Sequence, residues 1–241
     1  MSWHLPAQPL RRRVLIPFAM LTLATVQVAT LVSPHLGATP AFPVKAALAF
    51  AGAASIAAGY VADTHPFARL GAANVVTALR LLLTSLVAGL IGEPPNPAVA
   101  AFAAALALVV TSMDGVDGWL ARRFGTASAF GARFDMETDA LLILVLALLA
   151  WLHGKAGVWI VLAGAMRYLF VAASYRWPWM DAPLPPSTRR MAVCVLQIVG
   201  LGVVVSPLVS PPASVVAAAV TLVALTWSFG IDVLWLRRHS A

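Results

Sequence analysis

The sequence predicts an all-α protein, a polytopic membrane bundle of about eight transmembrane helices. Of its 241 residues, 61% are hydrophobic and only 10% are charged, and apolar runs of membrane-spanning length follow one another along the chain. A soluble domain averages roughly 25% charged residues, and a spanning helix needs about 20 mostly apolar residues. The composition therefore excludes a soluble globular enzyme and a disordered binding protein.

Proline- and glycine-rich segments separate the apolar runs and mark the ends of the predicted helices. The predicted spans are 14–33, 43–62, 74–92, 97–122, 129–152, 156–174, 190–208 and 213–236. Alternate loops are rich in arginine, whereas the opposite side of the membrane has only two basic residues, Lys45 and Lys155. Both termini are therefore expected in the cytoplasm. The net charge of +7 comes from residues at the ends of apolar runs. This pattern predicts contact with membrane lipids and no nucleic-acid partner.

Five of the nine acidic residues lie between Asp114 and Asp139, at the predicted cytoplasmic ends of the fourth and fifth spans. Helical spacing places two carboxylates and neighbouring small residues on one face of each span. These residues are Asp114, Asp117, Gly118 and Ala121 on the fourth span, and Gly131, Asp135 and Asp139 on the fifth. Glu137 points away from this face. The connecting loop is short, so the two acidic faces are expected to meet.

Four carboxylates in a partly desolvated volume repel one another and require a positive partner. Their hard oxygen ligands favour Mg²⁺, Mn²⁺ or Ca²⁺, and two such ions about 3.5–4 Å apart suit phosphoryl transfer. A plainer interpretation, in which the carboxylates only pair with Arg122, Arg123 and Arg133 at a helix corner, is disfavoured by the spacing on one face of each helix. The small residues could equally serve close helix packing.

The two faces together spell a pattern that resembles the signature of the CDP-alcohol phosphatidyltransferases. It reads Asp114-x-x-Asp117-Gly118-x-x-Ala121-Arg122, eight residues, then Gly131-x-x-x-Asp135-x-x-x-Asp139. Upstream, Asn74-x-x-Thr77-x-x-Arg80 is similar to the opening of the first core span in that family, with Ala73 in place of the common proline. The resemblance covers residues 63–241 as a six-helix core, and residues 1–62 form a tail with two extra helices.

The resemblance implies an enzyme of phospholipid biosynthesis that moves a phosphatidyl group from a CDP-linked donor, such as CDP-diacylglycerol, to an alcohol and releases CMP. It implies that Asp114, Asp117, Asp135 and Asp139 hold two ions of Mg²⁺ or Mn²⁺. Asp139 would also be the general base, with Asp135 beside it in catalysis. The implied CDP-binding residues are Asn74, Thr77, Gly118, Ala121, Arg122 and Gly131. The family also suggests a homodimer, a bacterial inner-membrane location and an active site open to the cytoplasm.

Guanidinium groups bind phosphate in a bidentate manner, so arginines near the cytoplasmic side are candidates for holding a phosphorylated acceptor such as glycerol 3-phosphate. The candidates are Arg133, Arg167, Arg189 and Arg190. For Arg189 and Arg190, membrane orientation and lipid headgroup contact are the competing explanation. Arg80 could serve the nucleotide or a helix contact. Asp232 could face the site, but it is expected to pair with Arg237 or Arg238.

Two other functions fit part of the pattern. An intramembrane prenyltransferase also uses aspartate-rich motifs with Mg²⁺, but its two motifs lie far apart in sequence. A transporter would carry buried acids, yet these acids gather at one membrane face and no internal repeat is visible. Release of CMP from a CDP-linked donor distinguishes the three functions.

Overall fold

The computed structural model describes Pro6, Gln8 and residues 10–239. Across residues 10–239 it is all-helical, with eight α-helices and two short 3₁₀ helices. The α-helices are α1 (Leu10–Leu36), α2 (Ala41–Thr64), α3 (Gly71–Gly89), α4 (Pro97–Arg123), α5 (Ala129–Leu152), α6 (Val161–Arg176), α7 (Thr188–Val205) and α8 (Ala213–His239). The 3₁₀ helices are Val158–Ile160 and Pro178–Asp181. The predicted all-α class and the eight helices are confirmed.

Seven of these helices are long and apolar enough to cross a membrane. The turn Val158–Ile160 is counted with α6 here, and the helix left out is α5. The exception has a simple cause, because the first half of α5 carries Asp135, Glu137 and Asp139. Its 24 residues still extend about 36 Å. The chain is therefore an integral, multi-pass membrane protein.

Helix ends differ from the predicted boundaries by a few residues, and prolines explain part of the difference. The seventh helix ends at Val205 and not near 208, because Pro207 disfavours helical backbone at the residue before it. α4 begins where Asn96 accepts a hydrogen bond from the backbone N–H of Val99 at 2.9 Å, with Pro97 in the first turn. This start matches the prediction.

The described residues fall into two compact units, the first ending at Asp139 and the second beginning at Ala140, so that α5 contributes to both. In the first unit, α3 packs on α4 and α2, while α1 packs on α2, α3 and α4. In the second, α7 packs on α8. A Cβ at Gly164 would lie 2.2 Å from the Cα of Leu144, so α5 and α6 approach closely there.

A buried carboxylate fixes the corner between the α1–α2 and α3–α4 loops. The Glu93 side chain is fully buried and accepts hydrogen bonds from the backbone N–H and the hydroxyl of Thr39, at 2.6 and 2.9 Å. Lys45 forms an ion pair with Glu93 and donates to the Ile91 carbonyl. Burial alone would raise the pKa of Glu93, but the bonds from Lys45 and Thr39 hold this pKa below its ordinary value.

Candidate active site

The turn between α4 and α5 fixes the relative position of the two acidic helices. After α4, Gly125 takes a positive φ of 61°, and the N–H groups of Gly125 and Thr126 donate to the carbonyls of Arg122 and Ala121. This pairing is a Schellman motif, which favours glycine at the left-handed position. Ser128 then caps α5 by accepting from the backbone N–H of Gly131 at 3.1 Å. Both ends of the turn are thereby held by hydrogen bonds.

The four predicted carboxylates converge on one side chain, the guanidinium of Arg80 on α3. Its Nη2 lies 2.7 Å from Asp114 Oδ1 and also contacts Asp139 Oδ1. Its Nη1 lies 2.7 Å from Asp117 Oδ2 and also contacts Asp135 Oδ1. The Arg80 side chain is fully buried, while the Asp135 side chain keeps 37% of its surface exposed. The cluster is therefore closed on the α3 side and open to solvent at Asp135.

Sequence reasoning did not anticipate the central place of Arg80. Two signals could have found it: a lone arginine inside an apolar span, and the physical need for a positive group among four carboxylates. Arg80 also lies three residues after Thr77, on the same face of α3. Thr77 donates to Asp117 Oδ2 at 3.1 Å, so two neighbouring side chains of α3 contact the same carboxylate.

The cluster suits a divalent cation in its ligand chemistry and in its charge. One carboxylate oxygen from each of Asp114, Asp135 and Asp139 lies within 4.8 Å of the others. These are hard oxygen ligands of the kind that Mg²⁺ and Mn²⁺ prefer. With every group ionised, the four carboxylates and Arg80 leave a net charge of −3. Arg80 thus lowers the repulsion but does not neutralise the cluster, which still attracts cations.

Some of the predicted CDP-binding residues lie beside this cluster. Asn74 is buried on α3, and its Oδ1 lies 2.8 Å from where a Cβ at Gly131 would be. The missing side chain of Gly131 therefore makes room for Asn74, which agrees with close helix packing. A Cβ at Gly118 would meet only the flexible end of Arg122, at 3.3 Å. Ala121 lies one turn from Gly118, and Arg122 is exposed.

The four acceptor candidates lie in different surroundings. The Arg133 guanidinium stacks over the Tyr60 ring, 4.5 Å from its centroid. Arg189 on α7 donates to the carbonyl of Ser228, at 2.6 Å, and to Asp232 Oδ1, at 2.5 Å. Arg190 lies 3.2 Å from the same Asp232 oxygen, so the structure brings these two arginines together. Arg167 is half-buried on α6.

The predicted partner of Asp232 was wrong. Asp232 pairs with Arg189 and Arg190 and not with the predicted Arg237 or Arg238. On a helix, side chains meet at spacings of three or four residues, whereas those two arginines lie five and six residues further along α8. The first turn of α7 supplies the partners instead.

The model of one protein family, CDP-alcohol phosphatidyltransferase, matches residues 70–231, which include α3, the acidic cluster and most of α8. The chain belongs to this family. A CDP-alcohol phosphatidyltransferase relative from Pseudomonas fluorescens, named CDP-diacylglycerol–glycerol-3-phosphate 3-phosphatidyltransferase, is 34% identical over 108 residues. The alignment covers 43% of this chain, and the chain spans about half (54%) of that relative's length. No solved structure matches the chain.

Proposed function

We propose that this CDP-alcohol phosphatidyltransferase moves a phosphatidyl group from a CDP-linked lipid, such as CDP-diacylglycerol, to an alcohol and releases CMP. The observation that carries the proposal is the convergence of four carboxylates, two from α4 and two from α5, on one guanidinium. Phosphoryl transfer depends mainly on positioning and on balancing charge over the phosphate oxygens. A cluster of this composition holds the cations that such a reaction requires.

In this proposal Asp114, Asp117, Asp135 and Asp139 hold two ions of Mg²⁺ or Mn²⁺. When bound, these ions would withdraw charge from the diphosphate and make CMP a better leaving group. Asp139 takes the proton from the acceptor hydroxyl, with Asp135 beside it. The Asp139 side chain keeps 15% of its surface exposed, so an acceptor hydroxyl can approach it. Thr77 and Arg80 keep Asp117 turned toward the cluster.

The nucleotide side of the site is assigned to Asn74, Thr77, Gly118, Ala121, Arg122 and Gly131. Arg122 supports this assignment because it is exposed and its flexible end is the side chain nearest to Gly118. An exposed guanidinium beside a glycine suits a diphosphate, to which it can donate two parallel hydrogen bonds. The acyl chains of the donor remain in the bilayer while its headgroup reacts.

Glycerol 3-phosphate is the proposed acceptor, since the relative from Pseudomonas fluorescens is named for that substrate. The candidates for contacting the acceptor phosphate are Arg133 in the first unit and, in the second, Arg167, Arg189 and Arg190. Asp232 supports the role of the last two, because one carboxylate holds both guanidinium groups close together. The proposal further places the enzyme in a bacterial inner membrane, as a homodimer, with both termini and the active site on the cytoplasmic side.

The test is acceptor-dependent CMP release by the purified protein from CDP-diacylglycerol with Mg²⁺ or Mn²⁺. Glycerol 3-phosphate, inositol phosphate, serine, inositol and choline are supplied singly. CMP release that requires one acceptor and stops with chelator is the expected result. Asp135→Asn should abolish it, whereas the matched variant Glu137→Gln, two residues along the same helix, should retain it. Failure to bind any CDP compound would overturn the proposal and favour a transporter or a prenyltransferase.

A further inference from the structure

The first two helices lie outside the family match, which begins at residue 70. Phe18 of α1 and Tyr60 of α2 nevertheless contact α5, the helix that carries two of the proposed metal ligands. We infer that α1 and α2 position the acidic first half of α5. This inference rests on the proposed function only in giving the acidic residues a reaction to serve. The contacts themselves involve residues that the family signature does not include.

The first half of α5 has two neighbouring faces. One face carries Gly131 and the two carboxylates. The second face is offset by one residue, or about 100° around the helix, and carries Phe130, Phe134 and Thr138, all of which are buried. Phe134 directly precedes Asp135 in the chain. Any rotation of α5 that moves the second face must therefore move the acidic face by the same angle.

Side chains from α1 and from the residue after α2 pack against this second face. The ring of Phe18 on α1 lies 6.1 Å from that of Phe134, centroid to centroid. His65, which follows α2, meets Phe130 edge-on at 5.5 Å. Phe130 and Phe134 stack on each other, also at 5.5 Å. The four rings form a continuous aromatic row from α1 to the loop after α2, which we call the ring row (Phe18, Phe134, Phe130 and His65).

Polar contacts connect the elements that carry the ring row. His65 Nδ1 lies 3.3 Å from the hydroxyl of Ser128, the residue that caps α5, and its Nε2 lies 2.8 Å from the carbonyl of Arg69. Arg13 in the first turn of α1 donates to the Ala68 carbonyl at 3.0 Å. The start of α1, the loop after α2 and the cap of α5 are thus connected. Such outer contacts orient ligand side chains without touching the metal.

The deciding measurement is Mn²⁺ affinity of the full-length protein in lipid nanodiscs, followed by electron paramagnetic resonance without any CDP compound. Phe18→Ala opens a gap behind Phe134 and should weaken Mn²⁺ binding about 10-fold, the low end of the range for lost contacts to metal ligands, because Phe18 touches the ligand-bearing helix and not a ligand. Phe18→Leu keeps most of the packing volume and should recover most of the affinity. CMP release should need correspondingly more Mn²⁺ in Phe18→Ala and approach the wild-type rate when Mn²⁺ is saturating.

Phe42→Ala is the matched control, because Phe42 is also a fully buried phenylalanine of the same helix pair but packs near Gly89. It should lower thermal stability as Phe18→Ala does and leave Mn²⁺ affinity within about twofold, well below the effect of an outer-shell loss. Wild-type affinity in Phe18→Ala, or equal losses in both variants, would overturn the inference. If the wild-type protein binds Mn²⁺ but releases no CMP with any acceptor, the proposed function fails while the Mn²⁺ comparison still decides the inference. Absence of Mn²⁺ binding by the wild-type protein would overturn both.

Discussion

Replacing Arg80 with glutamine removes the positive charge that contacts all four carboxylates. Glutamine keeps a polar side chain in the same pocket but cannot balance the charge, so the cluster changes from −3 to −4 when fully ionised. Breaking a buried ion pair on one side costs about 3–5 kcal/mol. For a chain of this size such a loss lowers the midpoint of thermal unfolding by roughly 6–20 °C. We expect this loss in the presence of chelator.

Divalent ions should restore much of what Arg80→Gln loses, because they supply the missing positive charge. A ligand present at 100 times its dissociation constant stabilises the folded state by about 2.7 kcal/mol. The rise in unfolding midpoint on adding Mn²⁺ should therefore be larger in Arg80→Gln than in the wild-type protein, since the more negative cluster binds cations more tightly. The assay is thermal unfolding of the detergent-purified protein, with chelator and with a series of Mn²⁺ concentrations.

Thr84→Val provides the matched control for Arg80→Gln. Thr84 is fully buried one turn further along α3, its hydroxyl makes no hydrogen bond among the described residues, and valine has nearly the same shape. This variant should unfold at or above the midpoint of the wild-type protein, since valine removes a buried hydroxyl that has no hydrogen-bond partner. Equal unfolding midpoints for Arg80→Gln and wild type in chelator would refute the reasoning, because Arg80 would then contribute nothing to holding the carboxylates together.

Three further predictions concern individual residues. Asp139→Asn should keep nucleotide binding, measured by isothermal titration with CDP, and lose about 10²- to 10⁴-fold in turnover, as expected for a missing general base; full turnover would remove that role. Gly131→Ala brings a Cβ to 2.8 Å from Asn74 Oδ1, so the KM for the CDP-linked lipid should rise, whereas Gly52→Ala, with open space around it, should leave KM unchanged. Glu93 has a lowered pKa in the folded protein, so its ionised form stabilises the fold above its unfolded pKa of about 4.3, and this contribution is lost as the pH falls through the folded value. Glu93→Gln should therefore be less stable than wild type by about 1.5–3 kcal/mol at pH 7, and unfolding curves down to pH 3 should converge; a gap independent of pH would contradict the assignment.

The sequence predicted helices well where local composition, prolines and capping residues determine them. The predicted limits of the fifth helix, 129 and 152, coincide with those of α5, and the fourth helix differs by one residue at its end. Bilayer-length apolar runs, prolines and capping residues determine such ends within a few residues of chain. The grouping of the four carboxylates was also predictable, because their spacing fixes one helix face and the short turn pairs the two helices.

Contacts between distant parts of the chain were harder to predict from the sequence. Arg80 contacts residues between 34 and 59 positions further along the chain. Nothing in its local spacing reveals whether it serves the nucleotide or contacts another helix. Asp232 is a second example: the prediction chose arginines close to it in sequence, but the first turn of α7 lies nearer in space. The contact of Phe18 with Phe134 likewise requires knowledge of how α1 packs. Packing, rather than periodicity, decides all three.

The turn between α4 and α5 bears on how the protein responds to bilayers of different thickness. Helices adjust to a thicker or thinner membrane by tilting. Because Gly125 and Ser128 hold both ends of one short turn, α4 and α5 are expected to tilt together and carry their carboxylates as one group. Arg80 belongs to α3. The loop from α3 enters α4 at its first residue, at the end of α4 opposite to the carboxylates. Sliding α3 along its neighbours by one turn, about 5.4 Å, would withdraw the guanidinium from every carboxylate, so sensitivity to membrane thickness should arise from the depth of α3 in the lipid.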